Sequence, residues 1–210
     1  RKVCIVLEEI GLTDQVERIA SLAMFAAPPN PDILKDNPLG KIPALILDDG
    51  QILFDSRVIC EHLIAMTNRD DLLPEEARIK HLRWQALGDG LTDILLLWRT
   101  ERGRAETASP VILQAFETKT RAALACLDAE SAALDAAEFG LGHIAVICAL
   151  GQLDFRYADC GWRDALPKLA AWHEQAAQRP SVAATAIVDD GGGPAAATDS
   201  TPAFTYETSK

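Results

Sequence analysis

Val3, Val6, Leu7 and Ile10 recur at three- and four-residue intervals and Gly11 follows, which predicts a helix over residues 1–10 closed by a glycine. Val16 to Leu22 reads as a strand. Pro28, Pro29, Pro31 and Pro38 then confine any helix to a short piece around Asp32 to Asp36, because a proline ring lacks the N–H a helix interior needs. Two β signals follow, Ala44-Leu45-Ile46-Leu47 and Gln51-Ile52-Leu53-Phe54, flanking Asp48-Asp49-Gly50, a composition suited to a tight hairpin turn. Asp55-Ser56 precedes the periodic run Val58, Ile59, His62, Leu63 and Met66, so this pair marks the N-terminus of the next helix. The opening of the chain therefore reads α-β-α-β-β-α.

The pattern changes after the polar joint Thr67-Asn68-Arg69-Asp70-Asp71 and Pro74, and a domain boundary is placed there. Beyond it only helical periodicity appears. Trp84, Leu87, Leu91, Ile94, Leu95 and Trp98 mark one long amphipathic helix; Ile112, Phe116, Ala123, Leu124 and Leu127 mark another. Residues 144–155 are apolar around most of the circumference, as in a helix buried at the centre of a bundle. Pro167 sits where a first helical turn tolerates it, and the run to Gln178 stops at Arg179-Pro180. After Val188 the composition shifts to Asp-Asp-Gly-Gly-Gly-Pro-Ala-Ala-Ala, that of a flexible tail over residues 189–210.

Composition narrows the partners. The 210 residues carry a formal charge of −11, which leaves no basic stripe to neutralise phosphates and argues against nucleic acid and anionic membrane surfaces. The longest apolar run, Leu141 to Leu150, is too short to span a bilayer and Arg1-Lys2-Val3 does not open a signal peptide, so a cytoplasmic location is expected. Five widely spaced cysteines, Cys4, Cys60, Cys126, Cys148 and Cys160, contain no Cys-x-x-Cys pair and read as reduced structural thiols. No metal site is expected.

Four segments carry a resemblance. Arg1-Lys2-Val3 with Leu7-Glu8-Glu9-x-Gly11-Leu12 resembles the first helix of glutathione S-transferases of the bacterial cytosolic type, and Asn37-Pro38-Leu39-Gly40-Lys41-Ile42-Pro43-Ala44-Leu45 resembles their glutathione-site loop. Asp55-Ser56-Arg57-x-Ile59 is similar to the acidic-Ser step that opens their third helix, and Ala149-Leu150-Gly151-x-Leu153-Asp154-Phe155-Arg156 to the core helix of their second domain. The resemblance implies an α/β thioredoxin-like N-terminal domain (1–67) that binds glutathione, then an all-α domain (75–188). It further implies a homodimer with the first half of one subunit against the second half of its mate, and conjugation of the glutathione thiolate to an electrophilic small molecule.

The chemistry of these residues suits that ligand. A tripeptide thiol presents one ammonium, two carboxylates and extended backbone, so its host needs a strand edge, an anion-binding helix start and a carboxylate for the amine. The proline matching Pro43 is cis in the family, which implies that Ile42 binds the cysteinyl part through its main chain. Ser56 at a helix start suits the γ-glutamyl carboxylate, Asp55 its ammonium, and Lys41 the glycine carboxylate. Against these stand plainer readings: Asp55 or Ser56 as a helix cap worth about 1 kcal/mol, Pro43 as an ordinary edge-strand proline, and Lys41 as a solvated lysine.

Two departures from the family pattern shape the expectations. The strand and the Ser, Cys or Tyr that stabilise the thiolate in the family fall before the position of Arg1, so the catalytic residue is unassigned. One route would be for the alternating segment Ala203-Phe204-Thr205-Tyr206-Glu207-Thr208 to supply the strand as a circular permutation does, bringing Tyr206, Thr208 or Ser209 to the thiol. Second, Gly140 and His143 stand where the family has Ser or Thr and Asp, so the usual reciprocal cap of the buried helix is missing and His143 is a structural candidate to replace it. A transferase-like binding or scaffold protein without turnover is the alternative function. A glutathione-dependent reductase ranks behind it, because no cysteine ends a first strand.

Overall fold

The computed structural model describes residues 1–23, 25, 27–188 and 203–206. Helix α1 (Lys2–Ile10) ends where Gly11 turns left-handed at φ 70°, letting the N–H of Leu12 donate to the Leu7 carbonyl at 2.9 Å. Only glycine takes that φ without a steric cost. Helix α2 (Pro31–Asp36) starts under Asn30, whose side chain accepts from the Asp32 N–H at 2.9 Å. Strands β1 (Leu45–Ile46) and β2 (Ile52–Leu53) pair antiparallel, Leu45 opposite Leu53 and Ile46 opposite Ile52, around a turn in which Gly50 has φ 85°. Helix α3 (Ser56–Met66) follows and buries Ile59, Cys60, Leu63 and Ile64. Its apolar face packs on α1.

The strand expected from Val16 to Leu22 does not form. A strand exists only by pairing, and among the described residues this segment has no ladder partner; Ile19 and Leu22 are exposed.

The second half is all helix: α4 (Arg78–Arg102), α5 (Pro110–Ala129), α6 (Ser131–Ala136), α7 (Leu141–Arg156), α8 (Trp162–Ala165), α9 (Pro167–Ala177) and α10 (Pro180–Ala184). Helix α7 lies at its centre, with Leu141 to Ile147 all buried. Helix α4 approaches α7 closely because Gly88 has no side chain: a Cβ there would sit 2.5 Å from the Ala145 carbonyl carbon. Arg179-Pro180 does end α9, but Pro180 also occupies the first turn of α10, where its missing N–H costs nothing.

Polar contacts fasten α1 to this half. The Arg1 guanidinium crosses above Gly151 and donates to the carbonyls of Thr185 (2.9 Å) and Val182 (3.2 Å) at the end of α10. Glu9, whose side chain is 8% exposed, receives two hydrogen bonds from Arg179 and one from Ser181. These partners hold its carboxyl below the usual range despite the opposing effect of burial, which is the largest single influence.

Among the described residues the tail joins no sheet. Residues 203–206 dock on the helical half, with Phe204 buried against Trp98 and the Tyr206 N–H donating to the Cys160 carbonyl at 2.9 Å. The two aromatic rings of this segment find partners on α4 and α5 instead of a strand edge, so Tyr206 stands among those helices. Thr208, Ser209 and residues 189–202 lie outside the described residues.

Candidate functional site

The loop that carries Lys41 and Ile42 is built by Asn37. Its buried side chain donates to the Lys41 carbonyl at 2.9 Å and accepts from the Leu39 N–H at 3.0 Å, while its own carbonyl accepts from the Gly40 N–H at 2.9 Å. Gly40, at φ 62°, makes the turn possible. Leu39, Lys41 and Ile42 are thereby displayed to solvent, and the Ile42–Pro43 peptide is cis, the isomer the resemblance implies. The organising role of Asn37 was not read from the sequence, although Asn-Pro-x-Gly is a known turn signature.

Pro43 and Asp55 come to the same end of the hairpin. Following the register outward from Leu45 and Leu53 sets position 43 opposite 55. Asp55 caps α3: one carboxylate oxygen accepts from the Arg57 N–H at 2.9 Å, and its carbonyl takes the first helical bond, from the Ile59 N–H. The plainer reading of Asp55 is thus fulfilled, yet it uses one of two carboxylate oxygens. The N–H groups of Ser56 and Val58 have no helical acceptor, and a helix start with Asp55 and Val58 exposed is the kind of place that suits an anion. Lys41 has no carboxylate partner among the described residues; its ammonium rests 5.5 Å over the Phe25 ring.

Behind this helix start lies a charge network that the sequence reading missed. Asp89 of α4 receives Lys2 of α1 at 2.7 Å and Arg57 of α3 at 2.9 Å, and this network raises the Arg57 pKa. Three elements distant in sequence therefore meet one residue beyond Ser56. The local signal was Lys2, a lysine one helical turn before Ile5 and Val6 on the buried face of α1.

The buried cysteines and the histidines at the start of α7 are held within the fold. Burial pushes the Cys60 thiol up to about 12, and it also raises Cys148 and Cys160, so these thiols stay protonated. His143 fills the cap at the start of α7: its Nδ1 accepts from the Gly140 N–H at 3.1 Å and its Nε2 bonds the Leu134 carbonyl at 3.0 Å. A second histidine, His81 from α4, accepts from the Gly142 N–H at 3.3 Å and occupies the space where a capping Ser or Thr would stand. A Cβ on Gly140 would lie 2.7 Å from the His81 ring and 2.4 Å from the Leu72 carbonyl oxygen. Glycine at 140 and histidine at 81 are one solution, split between residues too far apart to be read together.

The chain as a whole is similar to known proteins. Family models for the glutathione S-transferase N-terminal and C-terminal domains match residues 1–66 and 110–175. The chain is 33% identical over 195 residues to the uncharacterized GST-like protein YibF of Escherichia coli (strain K12), covering 88% of this chain and 92% of that one. Among solved structures it is similar to a glutathione transferase family member from Pseudomonas fluorescens Pf-5 with bound glutathione. That match has TM-score 0.84 and 42% identity, over 89% of this chain and 93% of the other. A glutathione S-transferase from Methylobacillus flagellatus KT with GSH bound matches at TM-score 0.77 and 34% identity, over 89% and 93%.

Proposed function

The chain belongs to the glutathione S-transferase family, and from that premise we propose that it binds glutathione and joins its thiolate to an electrophilic small molecule. The observation that carries this reading is the meeting, at one end of the hairpin, of the cis Ile42–Pro43 peptide and the α3 N-terminus with its free N–H groups. Glutathione bound to relatives at 42% and 34% identity supports the ligand.

In this reading the Ile42 main chain pairs with the cysteinyl backbone, and Ser56 offers its hydroxyl and N–H to the γ-glutamyl carboxylate at the positive end of the helix dipole. Asp55, with one oxygen on Arg57, receives the γ-glutamyl ammonium on the other. Lys41 faces the glycine carboxylate. The thiol loses its proton to solvent, and the sulfur forms a bond to the electrophilic carbon as the leaving group departs with its electron pair. The electrophile sits between residues 1–67 and the helical residues 75–188, beside α4 from Leu87 to Trp98. No residue is assigned to lowering the thiol pKa.

The protein works as a cytoplasmic homodimer; sedimentation as a monomer at micromolar concentration would refute the dimer. The binding assignment is tested by Asp55→Asn, which keeps the cap on the Arg57 N–H and removes the charge. Glutathione affinity falls by roughly ten- to a hundredfold, the worth of a charged hydrogen bond, while the melting temperature barely moves. Calorimetric titration and thermal melts read the two separately. Equal affinity of parent and variant overturns the role of Asp55.

A further inference from the structure

We propose that the face formed by Trp98, Arg121, Tyr157 and Cys160 is a recognition groove for an extended aromatic-x-aromatic peptide, filled in this chain by its own Phe204-Thr205-Tyr206. Phe204 lies flat on Trp98, with centroids 5.3 Å apart and planes 21° apart, and is 4% exposed. Trp98 leans in turn on Tyr157 at 5.5 Å. The Arg121 guanidinium covers both peptide rings, 5.0 Å from Phe204 and 4.6 Å from Tyr206, and donates to the Thr205 carbonyl at 2.7 Å. The Tyr206 N–H donates to the Cys160 carbonyl at 2.9 Å.

The groove thus uses main-chain hydrogen bonds for grip and two ring positions, at residues i and i+2, for selectivity. The Thr205 side chain between them is exposed and unread. That is how extended peptides are recognised at strand-like sites.

The walls do not depend on the peptide. The Tyr157 hydroxyl donates to the Leu95 carbonyl at 2.7 Å, and Asp154 accepts from Trp162 at 2.9 Å and from Arg163 at 2.7 Å, which holds the turn around Cys160. Arg121 is braced by Glu117 at 2.8 Å. The groove is also separate from the glutathione site. Trp98 lies nine residues beyond Asp89, which anchors Arg57, about 13 Å along the axis of α4. A ligand tied to its groove by the same chain needs little affinity of its own, so a free peptide of the same chemistry competes poorly while the tail occupies the groove.

The test uses the full chain, its Phe204→Ala/Tyr206→Ala variant, and a fluorescent peptide copied from residues 202–207. Saturable anisotropy is expected with the double variant and binding roughly tenfold weaker with the parent; adding Arg121→Ala weakens it by roughly tenfold again. Equal binding to parent and variant, no binding to the variant, or indifference to Arg121 overturns the proposal. Amide exchange in the unaltered chain guards against a variant that fails to fold. The Tyr206 amide is expected to be protected, to lose protection in Arg121→Ala, and to keep it over on the order of a hundredfold dilution. Exchange at the unstructured rate, or protection that vanishes on dilution because a second copy supplies the tail, overturns it equally.

Discussion

Helices α3 and α7 face the same backbone problem and solve it in opposite ways. Each begins with N–H groups that no helical carbonyl can reach. At α7 the chain supplies internal acceptors, Nδ1 of His143 to Gly140 and Nδ1 of His81 to Gly142, and both rings are buried. At α3 only the Arg57 N–H is capped, by Asp55, and the rest of the first turn is left open beside an exposed loop. Each start has one first-turn N–H satisfied by a side chain, Gly142 at α7 and Arg57 at α3; the difference is that α7 begins under two buried rings, whereas α3 begins at the surface, where a ligand can reach it. The difference lies in the partners, because the sequence signal at the two sites, a polar or small residue before an apolar run, is similar.

Acid should break the α7 arrangement first and leave α3 untouched. A histidine accepting through Nδ1 must be neutral, since a proton there would point at the N–H it now receives. Burial, with Arg179 nearby, lowers His143 to about 4; burial and Lys80 lower His81; burial lowers His173 to about 4 against the pull of Asp154. The unfolded chain therefore takes up protons before the folded one. Stability is whole above pH 6.5, the ordinary histidine value, and drains away toward pH 4. Between pH 7.5 and 5 the loss should be several kcal/mol, about 2 kcal/mol for each histidine held near 4, read from urea midpoints. Carboxylates such as Glu130, lowered to about 2 by Arg83 above all, contribute only below this window. His143→Gln, which can accept from Gly140 and donate to Leu134 without titrating, should remove roughly a third of that loss. Equal stability at both pH values would show that the histidine cap does not hold the helix.

A second way to break the same site is Gly140→Ala. Gly140 has φ −165°, extended backbone that any residue adopts, so the cost is purely one of space. The added methyl meets the Leu72 carbonyl oxygen at 2.4 Å, and a backbone oxygen cannot rotate aside. Overpacking of this kind costs about 2–3 kcal/mol and lowers the melting temperature by roughly 5–10 °C. Gly90 on α4, whose Cβ would meet nothing within 4 Å, is the control: Gly90→Ala should hold or slightly raise the melting temperature. Similar melts for the two variants would mean that the start of α7 is loosely packed and the contrast with α3 is overstated.

What could be read from the sequence was local. The hairpin follows from two short β signals around Asp48-Asp49-Gly50, and α7 from an apolar run with no polar face. The nearness of Ile42-Pro43 to Asp55-Ser56 follows from that hairpin alone. What escaped was every feature made by residues far apart. His81 comes from α4 to cap α7, Asp89 joins Lys2 to Arg57, and a suitable pattern from Val16 to Leu22 formed no strand because a strand is a property of two segments. The tail illustrates the same lesson: its alternation suggested a strand, but among the described residues it joins no ladder, and only packing on Trp98 shows which surface its rings prefer.

The smallest effect belongs to the open site and sharpens its chemistry. Lys41 is exposed, its ammonium 5.5 Å above the Phe25 ring, and a solvated lysine contributes little unless a carboxylate arrives. Lys41→Met keeps most of the apolar stem over Phe25 and removes the charge. If the glycine carboxylate of glutathione lies beside it, affinity should fall by about two- to fivefold in dilute buffer, because an exposed ion pair is worth about 0.5–1 kcal/mol. Salt separates this from a packing effect. Raising ionic strength from about 0.05 M to 1 M shortens the screening distance to roughly 3 Å, so the gap between parent and variant should close as the parent's affinity drops toward the variant's. A gap that persists at high salt would assign the loss to the stem and the loop. No gap at low salt would leave Lys41 as a surface lysine and put the whole burden of charge recognition on the α3 N-terminus, where Asp55 and the free N–H groups already stand.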